Sequence, residues 1–301
     1  MARTDNLTNF LTDVADSIRA KTGKTDEIKA SSFDTEIASI ETGGGTGGDL
    51  REYFDEQLPN GSSTGAGLAR IIKKIPSHVT FNSTIADYLF YYCMELESVP
   101  AFNMSKVTSM NNCFDQCSKL TTIPDLDTGK VTSMKYTFRG CSLLKSLPIS
   151  NTSNVTDMNS FCNNCKALVT IPDLDTSKVT DMNSAFSGCT ALTTIPLLDL
   201  SSCSKIISMA FNLTSLTTLG GFKDLGKSYL TTQNANNSNY RLDLSYSNNL
   251  THDSLMNVIN NLYDIASLGC KTQSLKLGAT NLNKLSDSEK LIAQNKGWTL
   301  S

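Results

Sequence analysis

The chain has 301 residues, 26 Lys+Arg against 29 Asp+Glu, and a formal net charge of −3. Hydrophobic residues are 39% and charged residues 18%, a composition that suits a folded repeat or β-rich protein and not a disordered one. The near balance of charge, with no basic run of five residues, gives no electrostatic case for nucleic acid, and no stretch reaches the 18 apolar residues of a membrane span.

In chain order, residues 1–42 carry two short amphipathic patterns. Leu7, Phe10, Leu11, Val14 and Ile18 keep helical spacing between an N-cap at Asp5 and a stop at Gly23, and Phe33, Ile37 and Ile40 repeat the logic. Helices this short bury little by themselves, so 1–42 is expected to be a helical attachment or oligomerisation module, and the chain a homo-oligomer. Acidic residues interrupt the apolar stretch a signal peptide needs, so synthesis in a bacterial cytoplasm is expected. Residues 43–66 read as a linker: glycines 43–45, 47 and 48, a helical "DLREYFDEQL", then "PNGSSTGAG".

Residues 67–219 repeat at a fixed step. Cys93, Cys117, Cys141, Cys165 and Cys189 are each 24 residues apart. Leu96 to Leu216, Val99 to Leu219, Pro100 to Pro196, Val107 to Val179 and Met110 to Met182 keep the same step, and an earlier degenerate coil holds Ile72, Ile75 and Pro76. A single repeat cannot bury its apolar side, so the pattern predicts a solenoid with the constant apolar columns inward. The L-x-x-I-P segment predicts a short strand, and the stretch from Met through Phe to Cys a helical turn. Ser98, Thr122, Ser146, Thr170, Thr194 and Thr218 form one hydroxyl column, and Thr84, Thr108, Thr132, Thr156, Thr180 and Ser204 a second; both are expected to hydrogen-bond along the stack. Asn103, Asp127, Asn151, Asp175 and Asp199 form a turn-capping column.

Residues 220–301 change step. Leu242 and Leu244 match Leu275 and Leu277 at 33, and Asn249-Leu250 matches Asn281-Leu282 at 32. Each unit predicts a strand, an Asn-Leu turn and a helix, with Ser286 and Glu289 as a capping box and Trp298 to Leu300 as a last strand. These longer coils are expected to close the open end of the solenoid.

The chemical inventory is thin. Five of the nine cysteines belong to the repeat, and Cys162 occupies the Phe90, Phe114, Phe138 and Phe186 column, so Cys162-x-x-Cys165 is a by-product of the repeat. With only His78 and His252 to add, no metal site and no cofactor are expected. Asp125 with Asp127, and Asp173 with Asp175, could suggest acid/base work on sugars, but their columns recur as turn residues. No catalytic residues are expected. The candidates for binding are instead positions where the repeat varies. Glu97, Thr121, Lys145, Val169, Thr193 and Thr217 form a varied column, and Tyr88, Tyr91 and Tyr92 cluster in the first complete coil. The tyrosines could stack on a ligand or simply cap the coil.

"KVTSMNNCFDQCSKLTTIPDLDT" and its copies resemble the BspA-like leucine-rich repeats of bacterial surface proteins. The ending, "LDLS…NNLTHDSLMNVINNL" and "LSDSEKLIAQNKGWTLS", resembles the close of such proteins from gut bacteria and their phages. The opening "NLTNFLTDVADSIRAKTGKTDEIKASSFDTEI" resembles the N-terminal module of phage and prophage tail proteins. The resemblance implies a leucine-rich-repeat solenoid of α/β class with a parallel sheet on one face, and receptor binding rather than catalysis. Surface-anchored relatives carry an export signal and a wall anchor that this sequence does not show. The leading expectation is therefore a phage tail fibre or tip component in the virion, held to a tail or baseplate protein by 1–42 and binding a host cell-surface glycan or protein through the solenoid. The alternative is a bacterial cell-surface or secreted adhesin.

Overall fold

The computed structural model describes residues 75, 81, 83–149, 151–228 and 241–301. The expectations for 1–42 and 43–66, and those for Ile72 and Pro76, lie outside the described residues.

From Thr84 onward the chain winds in coils of 24 residues, each laid on the last in parallel. Single parallel bridges join Ile85 to Ser109, Ser109 to Ser133, Ser133 to Asp157, Asp157 to Asp181 and Asp181 to Lys205. The constant columns face inward as expected. Leu96, Leu120, Leu144, Leu168, Leu192 and Leu216 are at most 1% exposed, and the Val107 and Met110 columns are fully buried. Phe90, Phe114 and Phe138 stack with centroids 5.1 and 5.6 Å apart. At the next coil Cys162 takes the phenylalanine position, and its neighbour Phe161 turns in to fill the volume, edge-on to Phe138 at 5.6 Å. Another local exchange occurs where the Phe102, Leu126, Leu174 and Leu198 column holds Ser150. There Ile149 is buried, and Leu126 pairs with Ile149 at a step of 23.

The expected strands are shorter than a strand. Ser98 bridges Thr122 and Thr170 bridges Thr194, but a ladder of two residues forms only where β1 (Thr194–Ile195) pairs with β3 (Thr218–Leu219). β2 (Leu198–Asp199) pairs likewise with β4 (Phe222–Lys223). The reason lies in the sequence: proline follows the column's Ile in each coil up to Pro196 and removes the N–H that would continue the ladder. The β1/β3 ladder has Gly220 in place of that proline on its second strand.

The Met-Phe-Cys stretch is not helical. Its alternate N–H groups leave the coil: those of Ala86, Tyr88, Phe90 and Tyr92 donate to the carbonyls of Ser109, Asn111, Cys113 and Asp115 on the next coil. The intervening N–H groups of Leu89, Tyr91 and Cys93 donate three residues back. Two residues per coil take positive φ to allow this. One column is Tyr88, Asn112, Tyr136, Ser160, Ser184 and Ser208; the other is Tyr92, Gln116, Gly140, Asn164, Gly188 and Asn212. A left-handed side-chain residue costs about 1–2 kcal/mol, which the inter-coil hydrogen bonds offset.

Polar columns lock the coils to each other. In the Thr84 column each hydroxyl, from Thr108 to Thr180, donates to the carbonyl of the residue 24 earlier, which also accepts the same residue's N–H. The hydroxyl bonding expected of the Ser98 column belongs to its neighbours: Thr121, Thr193 and Thr217 donate to the carbonyls of Glu97, Val169 and Thr193. The ladder cysteines do more than fill space. Cys117, Cys141 and Cys165 donate S–H to the carbonyls of Phe90, Phe114 and Phe138 at 3.0–3.1 Å, and Cys189 donates to that of Cys162. A small, apolar side chain with one weak donor fits that position. Asn103, Asp127, Asn151, Asp175 and Asp199 accept from the N–H two residues on, as turn caps.

The last part holds a three-stranded parallel sheet of β5 (Arg241–Asp243), β6 (Gln273–Lys276) and β7 (Trp298–Leu300), with Leu242 opposite Leu275. Helices α1 (His252–Asn260) and α3 (Asp287–Asn295) follow β5 and β6. Ser286 and Glu289 form the expected capping box. The second Asn-Leu pair lies in a four-residue helix, α2 (Ala279–Leu282), not in a turn. Asn249 and Asn281 donate to the carbonyls of Thr214 and Ser247, tying each coil to the one before.

α1 covers the free edge of the last 24-residue coil. Ser254 Oγ donates to the Thr217 carbonyl and accepts the Leu219 N–H, and Asn257 donates to the Leu219 carbonyl. Gly221 sits under this helix at φ +110, where a Cβ would stand 2.9 Å from the Asn257 carbonyl oxygen. A strand edge that would template aggregation is thereby closed by side chains.

Candidate functional site

The varied column is a surface line, as its sequence position implies. Glu97, Thr121, Lys145 and Val169 are exposed and Thr193 is half-buried. The N–H and hydroxyl of Thr121 both reach the Glu97 carbonyl at 3.2 Å. Val169 donates to Lys145, and Thr193 to Val169. The backbone is thus pinned and the side chains are free to differ: an acid, a base, hydroxyls and an alkyl group occupy equivalent places. Glu95 and Lys119 form an ion pair of 2.7 Å in the same stretch of the coil.

The tyrosines occupy a different stretch, the left-handed turn segment. Tyr88 is 59% exposed, and its ring meets Tyr91 edge-on at 5.4 Å. Tyr91 meets Tyr92 at 4.6 Å and 69°. Tyr88 and Tyr92 hold φ +59° and +60°, and both N–H groups bind the next coil, so the backbone under the rings is fixed at two points. Burial, then the neighbouring Tyr92 and Asp115, push the Tyr91 hydroxyl above its ordinary pKa.

The structure adds residues that the sequence reading left out. Tyr136 lies in the Tyr88 column, and Asp115 and Arg139 lie in the Tyr91 column. Arg139 grips the fully buried Asp115 with Nε at 2.9 Å and Nη2 at 2.7 Å, and its guanidinium lies 4.6 Å from the centroid of the Tyr136 ring. Burial pushes the Asp115 carboxyl up, and the bidentate guanidinium pulls against it; the same bond raises Arg139. Removing either partner would strand a charge, so the pair is a fixed strut under Tyr136. Lys135 stands 5.2 Å from the centroid of that ring. The signal was present in the sequence: Tyr136 follows Tyr88 by two whole repeats.

Further along the same face the columns carry Asn159, Asn163 and Asn183, then Ile207 and Phe211. Phe211 meets Tyr246 edge-on at 4.7 Å. The site candidates therefore fall into two groups, a strand-side line and a turn-side face that begins with aromatic rings.

Among the described residues no group of three or more His, Cys, Asp or Glu is placed to hold a metal. The Cys162 and Cys165 thiols instead point to the carbonyls of Ala185 and Phe138. No helix among the described residues is long and apolar enough to cross a membrane.

A family model described as "Mycoplasma protein of unknown function, DUF285" matches residues 84–198, a span that lies within the 24-residue coils. No curated protein matches the chain. Among solved structures, a leucine-rich repeat protein from Bacteroides ovatus ATCC 8483 is similar at 16% identity, with a TM-score of 0.30. The alignment covers 69% of this chain and 64% of that one, so the chain spans less than two-thirds of that protein's length.

Proposed function

We propose that the chain is a non-enzymatic recognition protein, a leucine-rich-repeat solenoid that binds a bacterial cell surface as part of a phage tail. One observation carries the reading. The stack holds its coils by buried columns and pinned backbone, while Glu97, Thr121, Lys145 and Val169 present unlike side chains at equivalent exposed positions. A scaffold that stays constant while its surface varies is the economy of a binding array. Residues 1–42, with their resemblance to tail modules, would supply attachment to a tail or baseplate protein and assembly into a homo-oligomer. A cell-surface adhesin, using the same varied line on the same scaffold, is the second reading.

The test is binding of the labelled full chain to a panel of bacterial strains, with released sugar measured in the supernatant. Saturable binding to some strains without release of sugar supports the reading. Binding to none, or progressive breakdown of the surface polymer, refutes it. Finding the chain in purified phage particles rather than in cell envelopes separates tail component from adhesin.

A further inference from the structure

The turn-side face has a composition that the strand-side line lacks. It opens with three tyrosines locked edge-to-face and the exposed ring of Tyr88. Two coils on comes Tyr136, flanked by Lys135 and Arg139. Arg139 commits Nε and Nη2 to Asp115, which leaves its other terminal nitrogen. Lys135 has no carboxylate partner among the described residues. After these come amides already oriented by the stack. Asn159 donates to Asp181, and Asn163 donates to the Ser187 carbonyl while accepting from Asn164. Each such amide keeps capacity for another partner.

We propose that this turn-side face binds an acidic polysaccharide chain laid across the coils, with Tyr88 and Tyr136 as stacking platforms and Lys135 and Arg139 facing its acidic groups. The inference rests on the recognition reading above and gives that reading a ligand class and a face. Three features point to sugar. An exposed tyrosine offers an apolar ring with a polar tip, which matches a pyranose that has one apolar face and hydroxyls at its rim. The amides suit hydroxyl groups, which donate and accept at once. Tyr88 and Tyr136 stand two coils apart, about 11 Å at the 5.1 and 5.6 Å steps of the stacked phenylalanine rings, a spacing comparable with two units of an extended polysaccharide. The unpaired cation then selects for acidic sugars, with a contribution that salt screens.

Two measurements on the full chain test this. The first uses an array of neutral and acidic bacterial capsular, O-antigen and wall polysaccharides. The chain should bind acidic members, more weakly as salt rises. Tyr88→Asn and Tyr136→Asn, each to a residue suited to the positive φ of that column, should each weaken binding about ten-fold or more while the chain stays folded. Lys271→Glu, in the segment before β6 and on neither candidate surface, should leave array binding unchanged. The second compares cells treated with periodate, which cleaves sugar diols, with cells treated with protease. Loss of binding only after periodate supports the proposal. Loss only after protease leaves recognition standing and overturns the carbohydrate face. Failure to bind any untreated cells overturns recognition itself. Array binding confined to neutral sugars, or undiminished in both tyrosine variants, overturns the assignment.

Discussion

Leu144 lies at the middle of the leucine column, 1% exposed, with Leu120 and Leu168 buried in the coils on either side. Leu144→Ala removes the contacts of a buried side chain and leaves a cavity that stacked coils cannot readily collapse, a loss of about 3 kcal/mol. Leu144→Asp adds a carboxylate with no partner in an apolar column, several kcal/mol more. Against a total stability of about 5–15 kcal/mol, the second change should unfold the central coils at room temperature. Thr121→Asp is the control. Its side chain is exposed, and it gives up one solvent-exposed hydroxyl bond of 3.2 Å and gains a like charge near Glu97, a cost under about 1 kcal/mol. Thermal unfolding followed by circular dichroism should place Leu144→Ala about 6–12 °C below the parent and Thr121→Asp within about 3 °C of it. Because each coil touches only its neighbours, the Leu144→Ala transition should also broaden. Equal melting temperatures for the Leu144 and Thr121 variants would refute the assignment of inward and outward columns.

Thiol titration of denatured protein without reductant should find nearly all nine cysteines free. On the native chain half-buried Cys270 should react first, because the other eight are buried and burial pushes Cys203, for one, up to about 12; several bridged cysteines would refute the buried-thiol account. Burial works to raise Asp199 and Asp243, yet Lys223 at 2.6 Å and Lys276 at 2.9 Å, with Ser201 and Ser245, hold both below the ordinary carboxylate range. A folded pKa below the unfolded one gives stability that is present above about pH 4 and lost as pH falls through the folded value. Asp199→Asn should therefore cost stability at pH 6 and little at pH 2.5 by urea unfolding, and an equal loss at both would contradict the pairing. A chain beginning at Asp49 should remain folded but fail to form the oligomer or join its particle in sedimentation. Normal assembly of that chain would move attachment out of residues 1–42.

The repeat and its inward columns were legible because each apolar column is written four to six times, which averages out local exceptions. The turn caps at Asn103 to Asp199 and the Ser286 capping box were legible because they are chemistry between residues two or three apart. The exceptions were not. Phe161 filling the interior beside the smaller Cys162, and Leu126 pairing with Ile149 at a step of 23, are volume decisions made by the neighbouring coils. The Met-Phe-Cys stretch has apolar spacing compatible with a helix, and what overrides it is hydrogen bonding to the next coil, which a single repeat does not reveal. Gly140, Gly188 and the asparagines at 112, 164 and 212 carried a trace of its left-handed columns; Tyr88, Tyr136 and the serines hid it. The same misreading concealed the turn-side face, since Tyr136 and Arg139 come together with the Tyr88 cluster only when that segment is laid out as successive turns.

Hydroxyl-radical footprinting of the full chain, free and bound to cells, tests the central claim most directly, because both candidate surfaces carry exposed reporters. Tyr88 is 59% exposed on the turn side, and Val169, 43% exposed, belongs to the Glu97 line. Recognition through the turn-side face predicts that bound cells protect Tyr88, Tyr91, Tyr92 and Tyr136 while Val169 is oxidised as before. Protection of Val169 with the tyrosines unchanged would contradict it and move binding to the strand-side line.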